Sequence, residues 1–151
     1  MIKLLRIDDR LIHGQVAMAW TKSIAADHII VVDDPSASDK MKMMILTLAK
    51  PASTGLDIVS LSDFKSVYEA NKQKNVMIVT SSPRNAFEIV SVIDEPLSTI
   101  NLGGLRYNDS KEKINEYIAL TPEDKDYLQK LKENNYQLIM QATPNGKSKE
   151  F

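Results

Sequence analysis

Short runs of aliphatic and β-branched residues alternate along the chain with longer segments in which apolar residues recur at helical spacing. The clearest run begins at His28, where four consecutive apolar residues follow the histidine. A continuous apolar run is typical of a strand that is covered on both faces of a sheet. Such runs predict strands at Ile2–Asp8, His28–Asp33, Asp57–Leu61, Val76–Thr80, Thr99–Leu102, Ile114–Leu120 and Tyr136–Gln141.

The segments between these strands predict helices, because their apolar residues lie three and four positions apart. Ser82-Pro83 and Thr121-Pro122 each place a capping hydroxyl before a proline, which is typical of a helix start. Strand-then-helix alternation favours a mostly parallel sheet with helices on both faces. We therefore expect an α/β fold, a single doubly wound domain over residues 1–151 with a sheet of about seven strands. The predicted apolar helix faces are Val16, Trp20 and Ile24; Met41, Met44, Ile45 and Leu48; Phe64, Val67 and Tyr68; Ala86, Ile89, Val90 and Ile93; and Tyr127, Leu128 and Leu131.

Composition and charge exclude several kinds of function. The formal net charge is only −1, which gives no bulk attraction to nucleic acid or to an anionic membrane. The chain has no cysteine and two histidines, so we expect no disulfide, no metal site and no bound cofactor. No stretch approaches the roughly 18 apolar residues of a membrane span, and the N-terminal apolar run is too short for a signal peptide. We expect a cytoplasmic protein.

The first predicted strand leads into a segment that carries most of the candidate chemistry. In open α/β sheets, ligands bind beyond the carboxyl ends of the strands. At that position lie Asp8, Asp9, Arg10, His13 and Gly14. A neutral imidazole can act as a nucleophile, and the amide groups of a helix start provide an anion site that Gly14 would leave open. Arg10 could donate to phosphoryl oxygens, and either acid could fix the imidazole tautomer or hold Arg10.

The same residues also allow a structural interpretation, in which Arg10 pairs with an acid at the surface and Gly14 eases a turn. Secondary candidates for binding phosphate or substrate lie at the ends of neighbouring strands. Each of them also allows either a binding role or a purely structural role. Arg6 is a charged residue inside the first predicted strand, where it either faces the crevice or pairs with an acid. The other secondary candidates are Asp9, Gln15, Thr80, Ser81, Gly103 and Gly104.

The string R-I-D-D-R-L-I-H-G-Q-V, from Arg6 to Val16, resembles the active-site signature of the mannose/fructose/sorbose-type enzyme IIB components of the bacterial phosphoenolpyruvate-dependent sugar phosphotransferase system (PTS). The resemblance covers nearly the whole chain. Departures are small, with Leu105 where methionine is common and Asn135 in place of a usual glycine. The other similar segments are Trp20, His28–Asp34, Asn101–Gly104 and Leu120–Asp124.

This resemblance implies a phosphoryl carrier and transferase. His13 would accept phosphate from a IIA protein, on the δ nitrogen in the family's usual manner, and pass it to a sugar during uptake through the membrane components IIC and IID. Arg10 would assist the transfer and Asp8 would support the loop. The resemblance also implies recruitment to the inner face of the membrane. Homodimers are common in the family, and the resemblance does not identify the transported sugar.

Two other functions compete with this one. A receiver-like domain also has acids after its first strand, as Asp8 and Asp9 are here, but it needs an aspartate after the third strand and a lysine after the fifth. Asp63 fits the first requirement poorly, and Asn101–Gly104 provides no lysine. A regulatory binding domain without histidine phosphotransfer is the third alternative, and it would not depend on Arg10 or His13.

Overall fold

Seven strands form the central sheet of the computed structural model, which describes residues 1–151. Their order is β3-β2-β4-β1-β5-β8-β9, and every pair is parallel except β8 with β9. Two further strands, β6 and β7, form a separate antiparallel pair. The strands are β1 (Ile2–Asp8), β2 (His28–Val32), β3 (Gly55–Val59), β4 (Val76–Thr80), β5 (Thr99–Gly104), β6 (Glu112–Lys113), β7 (Ala119–Leu120), β8 (Gln137–Met140) and β9 (Lys149–Glu150).

Helices cover both faces of this sheet, as the sequence predicts. Residues of α1 and α3 belong to one apolar cluster with one side of β2 and β4, and residues of α4, α5 and α6 belong to a larger cluster on the other side. The longest helix has 12 residues, and no helix combines the length and apolar character that crossing a membrane requires. The helices are α1 (Val16–Ile24), α2 (Asp34–Ala37), α3 (Lys40–Ala49), α4 (Phe64–Ala70), α5 (Pro83–Val92) and α6 (Pro122–Glu133).

The strand order creates a crevice at the carboxyl edge of the sheet. The chain leaves β1 through α1 on one face, and it leaves the neighbouring β4 through α5 on the other face. Loops that diverge from adjacent strands in this way open a binding crevice between them. The loop after β1, which carries His13, lies at this point of the sheet.

The prediction that Ile114–Leu120 forms a strand of the main sheet is wrong. The Asn115 side chain accepts hydrogen bonds from the backbone N–H groups of Tyr117 and Ile118, at 2.9 and 2.8 Å, and turns the chain into a tight hairpin between β6 and β7. Asparagine forms such local turns readily. The seventh strand of the sheet is instead β9, which has no apolar alternation and pairs antiparallel with β8.

The predicted helix starts are confirmed, but one predicted helix face is not buried. Ser82 and Thr121 both accept a hydrogen bond from the third residue of the following helix through their side chains. In α3, by contrast, only Leu46 is buried. The apolar residues expected to face the core are exposed, with fractions of 58% to 80%: Met41, Met44, Ile45 and Leu48.

Candidate functional site

The His13 loop is shaped by two buried side chains and two left-handed residues. Leu11 and Ile12 are buried in the cluster beneath α1, which anchors the loop against the sheet. Leu11 has φ of 60° and Gly14 has φ of 48°, a region that is unfavourable for most residues and open to glycine. The backbone N–H of Leu11 donates to the carbonyl of Asp8, which closes a tight turn. His13 is therefore held at the rim of the crevice.

The imidazole of His13 is fixed by one nitrogen and free at the other. Nε2 lies 2.9 Å from Oδ2 of Asp8, and the side chain is 21% exposed. An ionised carboxylate only accepts, so Nε2 carries the hydrogen and the neutral ring has its lone pair on Nδ1. Nδ1 has no partner, and no buried side-chain nitrogen or oxygen lacks one, so Nδ1 reaches solvent. This geometry suits nucleophilic attack by Nδ1.

Asp8 is the fully buried centre of the site, with a side chain that is 0% exposed. Burial by itself would raise the pKa of this carboxyl. The hydrogen bond with His13, the positive charge of Arg6 and the backbone N–H of Arg10 outweigh that effect and hold the pKa below its ordinary value. Asp8 is thus an anion at neutral pH, ready to stabilise positive charge on the His13 ring.

Arg6 supports Asp8 and does not face a phosphate, so its assignment to phosphate or substrate binding is corrected. Its side chain is 2% exposed, and Nη2 lies 2.9 Å from Oδ2 of Asp8. Nη1 donates to Oδ1 of Asn101 and to the carbonyl of Gln141, and Nη2 donates to the carbonyl of Ala142. Burial lowers the pKa of the guanidinium, and the charge of Asp8 opposes that shift.

The glycine at position 103 has a structural explanation that also involves Arg6. A side chain at this position would collide with the guanidinium of Arg6. The Trp20 ring packs against that guanidinium at 5.4 Å from its centroid, and its Nε1 donates to the carbonyl of Ala142 at 3.1 Å. Glycine at 103 therefore makes room for the buried charge that holds Asp8.

Arg10 is the cation of the loop that remains available to a ligand. Its side chain is 42% exposed, and Nε lies 3.6 Å from Oδ1 of Asp8, which is an ion pair without a close hydrogen bond. The first residue beyond His13 and Gly14 is Gln15, an exposed residue at the start of α1. No side chain caps this helix start, so its first N–H groups are able to donate hydrogen bonds to an anion.

Asp9 turns away from the imidazole, and its assignment to phosphate binding is corrected. Its carboxylate accepts from the backbone N–H of Arg106 at 2.9 Å and from Nε of the same residue at 3.1 Å. Its own N–H donates to the carbonyl of Gly104 at 2.9 Å. Asp9 therefore ties the His13 loop to the loop after β5, and Gly104 lies within the site, close to Arg10 and Asp8.

The hydroxyl groups at the end of β4 are already engaged. Thr80 is fully buried and donates to the carbonyl of Val32 at 2.8 Å, so its assignment as a ligand for phosphate is corrected. Ser81 donates to Oδ1 of Asp33 at 2.7 Å, which directs its hydroxyl toward β2. These contacts support the edge of the sheet.

Sequence reasoning missed two kinds of contributor. Asn101 holds Arg6 from the neighbouring strand, and its only signal was a polar residue in an otherwise apolar strand. The residues beyond Gly104 line a cavity beside Arg10, and Arg106 and Tyr107 are among them. A basic and an aromatic residue after a glycine pair are a weak signal without the fold.

Comparison with known proteins gives a consistent result over the full length. The family model described as PTS system sorbose subfamily IIB component matches residues 2–151. The PTS system fructose-specific EIIB component of Bacillus subtilis (strain 168) is 32% identical, over 99% of this chain and 93% of that protein. The PTS system sorbose-specific EIIB component of Lacticaseibacillus casei is 33% identical, over 82% and 76% respectively. The crystal structure of the IIBSor domain of the sorbose permease from Klebsiella pneumoniae has a TM-score of 0.92 at 28% identity, over 99% of this chain and 92% of that chain.

Proposed function

Because this chain belongs to the sorbose subfamily of PTS IIB components, we propose that His13 carries its phosphoryl group on Nδ1. Membership confirms the family resemblance of the segment from Arg6 to Val16. A IIB component of this system is a phosphotransferase that acts in sugar uptake. What we add is the residue that bears the phosphoryl group and the parts played by its neighbours.

One observation carries this proposal. The Nε2 atom of His13 lies 2.9 Å from a buried carboxylate, whereas Nδ1 is free and accessible to solvent. Only a nitrogen with an accessible lone pair can attack phosphorus, so the geometry supports Nδ1 as the nucleophile. His28 does not combine a buried carboxylate with an accessible nitrogen. Its side chain is only 8% exposed, and the residue begins β2 at the opposite edge of the sheet.

The transfer has two halves. In the first, the Nδ1 lone pair attacks the phosphorus of the donor phosphohistidine, the donor N–P bond breaks and the His13 ring becomes positively charged. Asp8 stabilises that charge through Nε2–H. In the second half, a sugar hydroxyl oxygen attacks the phosphorus, the Nδ1–P bond breaks and the hydroxyl proton is released to solvent. Such transfers depend mainly on positioning and charge stabilisation, which this site provides.

The other loop residues bind and orient the phosphoryl group. Arg10 donates to its oxygens through the guanidinium. The uncapped N–H groups at the start of α1 add a partial positive charge of about one half. Gly14 has a left-handed backbone between His13 and the start of α1, and we propose that Gln15 and Gly104 border the space that the phosphoryl group occupies.

The partners follow from the family. The PTS pathway includes IIA and IIC proteins, and we propose that a IIA phosphohistidine is the donor to His13. We further propose that the sugar is reached at the inner face of the membrane, where the cytoplasmic chain meets IIC and IID. Residues 1–151 act as one domain in this scheme, and a homodimer is compatible with it because the loop lies at one edge of the sheet.

The direct test compares the two histidines. The chain is phosphorylated with phosphoenolpyruvate, the general PTS proteins and a IIA partner, and its mass is measured. We expect one phosphoryl group on the wild type and on His28→Ala, and none on His13→Ala. The label should survive alkali and be lost in acid, which is the behaviour expected of a phosphohistidine. A label that alkali destroys would indicate an acyl phosphate of the receiver type, and a labelled His13→Ala would refute the proposal.

A further inference from the structure

The outer face of α3 is apolar and exposed. Its members are Met41, Met44, Ile45 and Leu48, which occupy positions i, i+3, i+4 and i+7 and are 58% to 80% exposed. At about 100° per residue they form one stripe about 100° wide along the helix. They account for four of the seven large hydrophobic side chains that the protein exposes, so the exposure is concentrated on one helix. A clustered apolar patch marks a surface that binds a partner, and we call this one the α3 face.

Two lysines border the α3 face, one on each side. At about 100° per residue, Lys40 lies about 40° beyond one edge of the stripe and Lys42 about 60° beyond the other. Both residues are exposed. The lysine ion pairs of the protein are those of Lys72 and Lys125, so both ammonium groups beside the α3 face are free. An apolar helix face flanked by lysines is typical of helices that lie on an anionic membrane.

The acids near α3 are bound to other groups of the protein. The helix itself contains two lysines and no acid. Asp39 precedes the helix and accepts from two backbone N–H groups of its first turn, and Asp34 accepts from the backbone N–H of Leu61. Asp57 bonds to His28, and it lines a cavity on the side of α3 that faces β3, away from the stripe. The exposed side of α3 therefore presents cations beside apolar side chains.

Charge and size favour a lipid surface over a second copy of the chain as the occupant of the α3 face. Two copies paired through this face would bring their free lysines together with no acid on either helix, and like charges repel. The helix has 10 residues, so its face is a strip about 15 Å long and about 10 Å wide. That area is far below the roughly 800 Å² that each partner of a stable dimer buries. An anionic lipid surface attracts the lysines without a matching shape.

We infer that the α3 face docks on the headgroup region of an anionic lipid bilayer, with its four apolar side chains at the acyl boundary and Lys40 and Lys42 on the lipid phosphates. The long lysine side chains reach the phosphates while the helix lies at the boundary. Each lysine held near such a surface strengthens binding about fivefold. This docking does not depend on the proposed function, because the α3 face contains none of the residues around His13.

The experiment is co-sedimentation of the full chain with lipid vesicles. One set contains equal parts of phosphatidylglycerol and phosphatidylcholine, and the other contains phosphatidylcholine alone. We expect binding to the anionic set with an association constant of about 10³ M⁻¹ in accessible lipid, about tenfold weaker than a myristoyl chain provides. Binding should weaken at least about tenfold in ~0.5 M salt or on the neutral set. No sedimentation with anionic vesicles at about 5 mM lipid, or equal binding to both sets, would overturn the inference.

Exposed positions allow each part of the α3 face to be changed without disturbing the core. Lys40→Gln combined with Lys42→Gln should weaken vesicle binding about 20-fold. Leu48→Ser should weaken it about fivefold. The matched control combines Lys65→Gln, on α4, with Lys74→Gln in the following turn, and it should leave binding unchanged because α4 covers the other face of the sheet. Equal losses in the control and in the lysine variant would assign binding to overall charge and overturn the role of α3.

A fluorescent label reports whether the α3 face enters the lipid. The chain has no cysteine, so Leu48→Cys on the α3 face and Ser66→Cys on α4 each provide a single site for an environment-sensitive fluorophore. We expect anionic vesicles to shift the emission to shorter wavelength at position 48 and to leave it unchanged at position 66. A shift at both positions, or at neither, would contradict docking through α3.

The same variants identify the other occupants if vesicles do not bind. A dimer that Leu48→Ser dissociates would show that the α3 face pairs two copies of the chain, and slower phosphorylation of Leu48→Ser by IIA would assign the face to a protein partner. Either result without vesicle binding overturns the inference. His13→Ala should bind vesicles as the wild type does, so a failure of the carrier function would leave membrane docking intact, and the reverse also holds.

Discussion

The protein contains two histidine–aspartate pairs of nearly the same geometry, and only one of them lies in a site suited to phosphotransfer. Nε2 of His13 is 2.9 Å from Asp8, and Nε2 of His28 is 2.8 Å from Asp57. The carboxylates differ most, since Asp8 is 0% exposed and Asp57 is 42% exposed. The imidazoles differ in the opposite direction, with His13 more exposed than His28.

The surroundings therefore decide what each pair can do. Asp8 is held by the buried guanidinium of Arg6 and by the backbone N–H of Arg10, whereas Asp57 has one further contact, from Asn71 at 3.2 Å. His13 lies at the carboxyl edge of the sheet, near the partly exposed guanidinium of Arg10 and the start of α1. His28 begins a strand at the other edge. A His–Asp pair is thus only a part of the site, and the buried charge beneath it and the open space above it supply the rest.

The largest expected difference between the pairs concerns stability. Arg6→Met would leave Asp8 buried without its cation, which typically costs about 3–5 kcal/mol. Asp57→Asn, the matched change at the exposed pair, should cost no more than about 1 kcal/mol. Urea unfolding of both variants measures the two free energies. Equal losses in the free energy of unfolding would mean that the buried pair contributes no more to stability than the exposed pair.

The next effect concerns rate. Arg10→Ala leaves His13 with its carboxylate but without the nearby guanidinium, so transfer from phosphorylated IIA should slow about 100-fold. Arg84→Ala removes an exposed arginine from α5 and should leave the single-turnover rate unchanged. A normal rate for Arg10→Ala would exclude this residue from the transfer step.

A pH series in the acid range probes the charge of Asp8. Its pKa is lower in the folded protein than the ordinary value of about 3.9, so its ionised form stabilises the fold. That stabilisation is fully present above the ordinary pKa and is lost as pH falls through the lower folded value. The free energy of unfolding of the wild type minus that of Asp8→Asn should therefore shrink as pH falls below about 4, a range in which imidazoles no longer titrate. A difference that grew in acid would contradict the assigned direction.

The smallest effects come from one glycine beside each pair. Gly14 has φ of 48° with nothing within 4 Å of an added Cβ, so Gly14→Ala should cost about 1 kcal/mol in backbone strain and slow phosphorylation modestly. Gly55 packs against the ring of His28, so Gly55→Ala should destabilise the fold by about 1–3 kcal/mol without changing the rate of phosphorylation. Thermal unfolding and labelling rates measure both changes, and slowed labelling of Gly55→Ala would break the contrast.

Much of the fold was predictable from the sequence, because continuous apolar runs and helix caps are local signals. Both β1 and β4 have the predicted boundaries, and the starts of α5 and α6 follow from their capping residues. The hairpin of β6 and β7 was not predictable, because a side-chain contact of Asn115 overrides an apolar run. The pairing of the polar strand β9 depends on an available edge of β8, which is a tertiary property.

The sequence predicted which residues form the candidate site better than it predicted what each residue does. His13, Asp8 and Arg10 come together as their sequence spacing suggests. The role of Arg6 depends on the placement of Asn101 and of the carbonyl groups after β8 beside β1, more than 90 residues away in sequence. No local pattern reports such a distant contact.

NMR of the phosphorylated, nitrogen-labelled chain tests the central claim most directly, because it reports which ring nitrogen bears phosphorus. We predict a single phosphoryl group on Nδ1 of His13, with the hydrogen on Nε2 still bonded to Asp8. Phosphorus on Nε2 of His13, on His28 or on an aspartate would contradict the account.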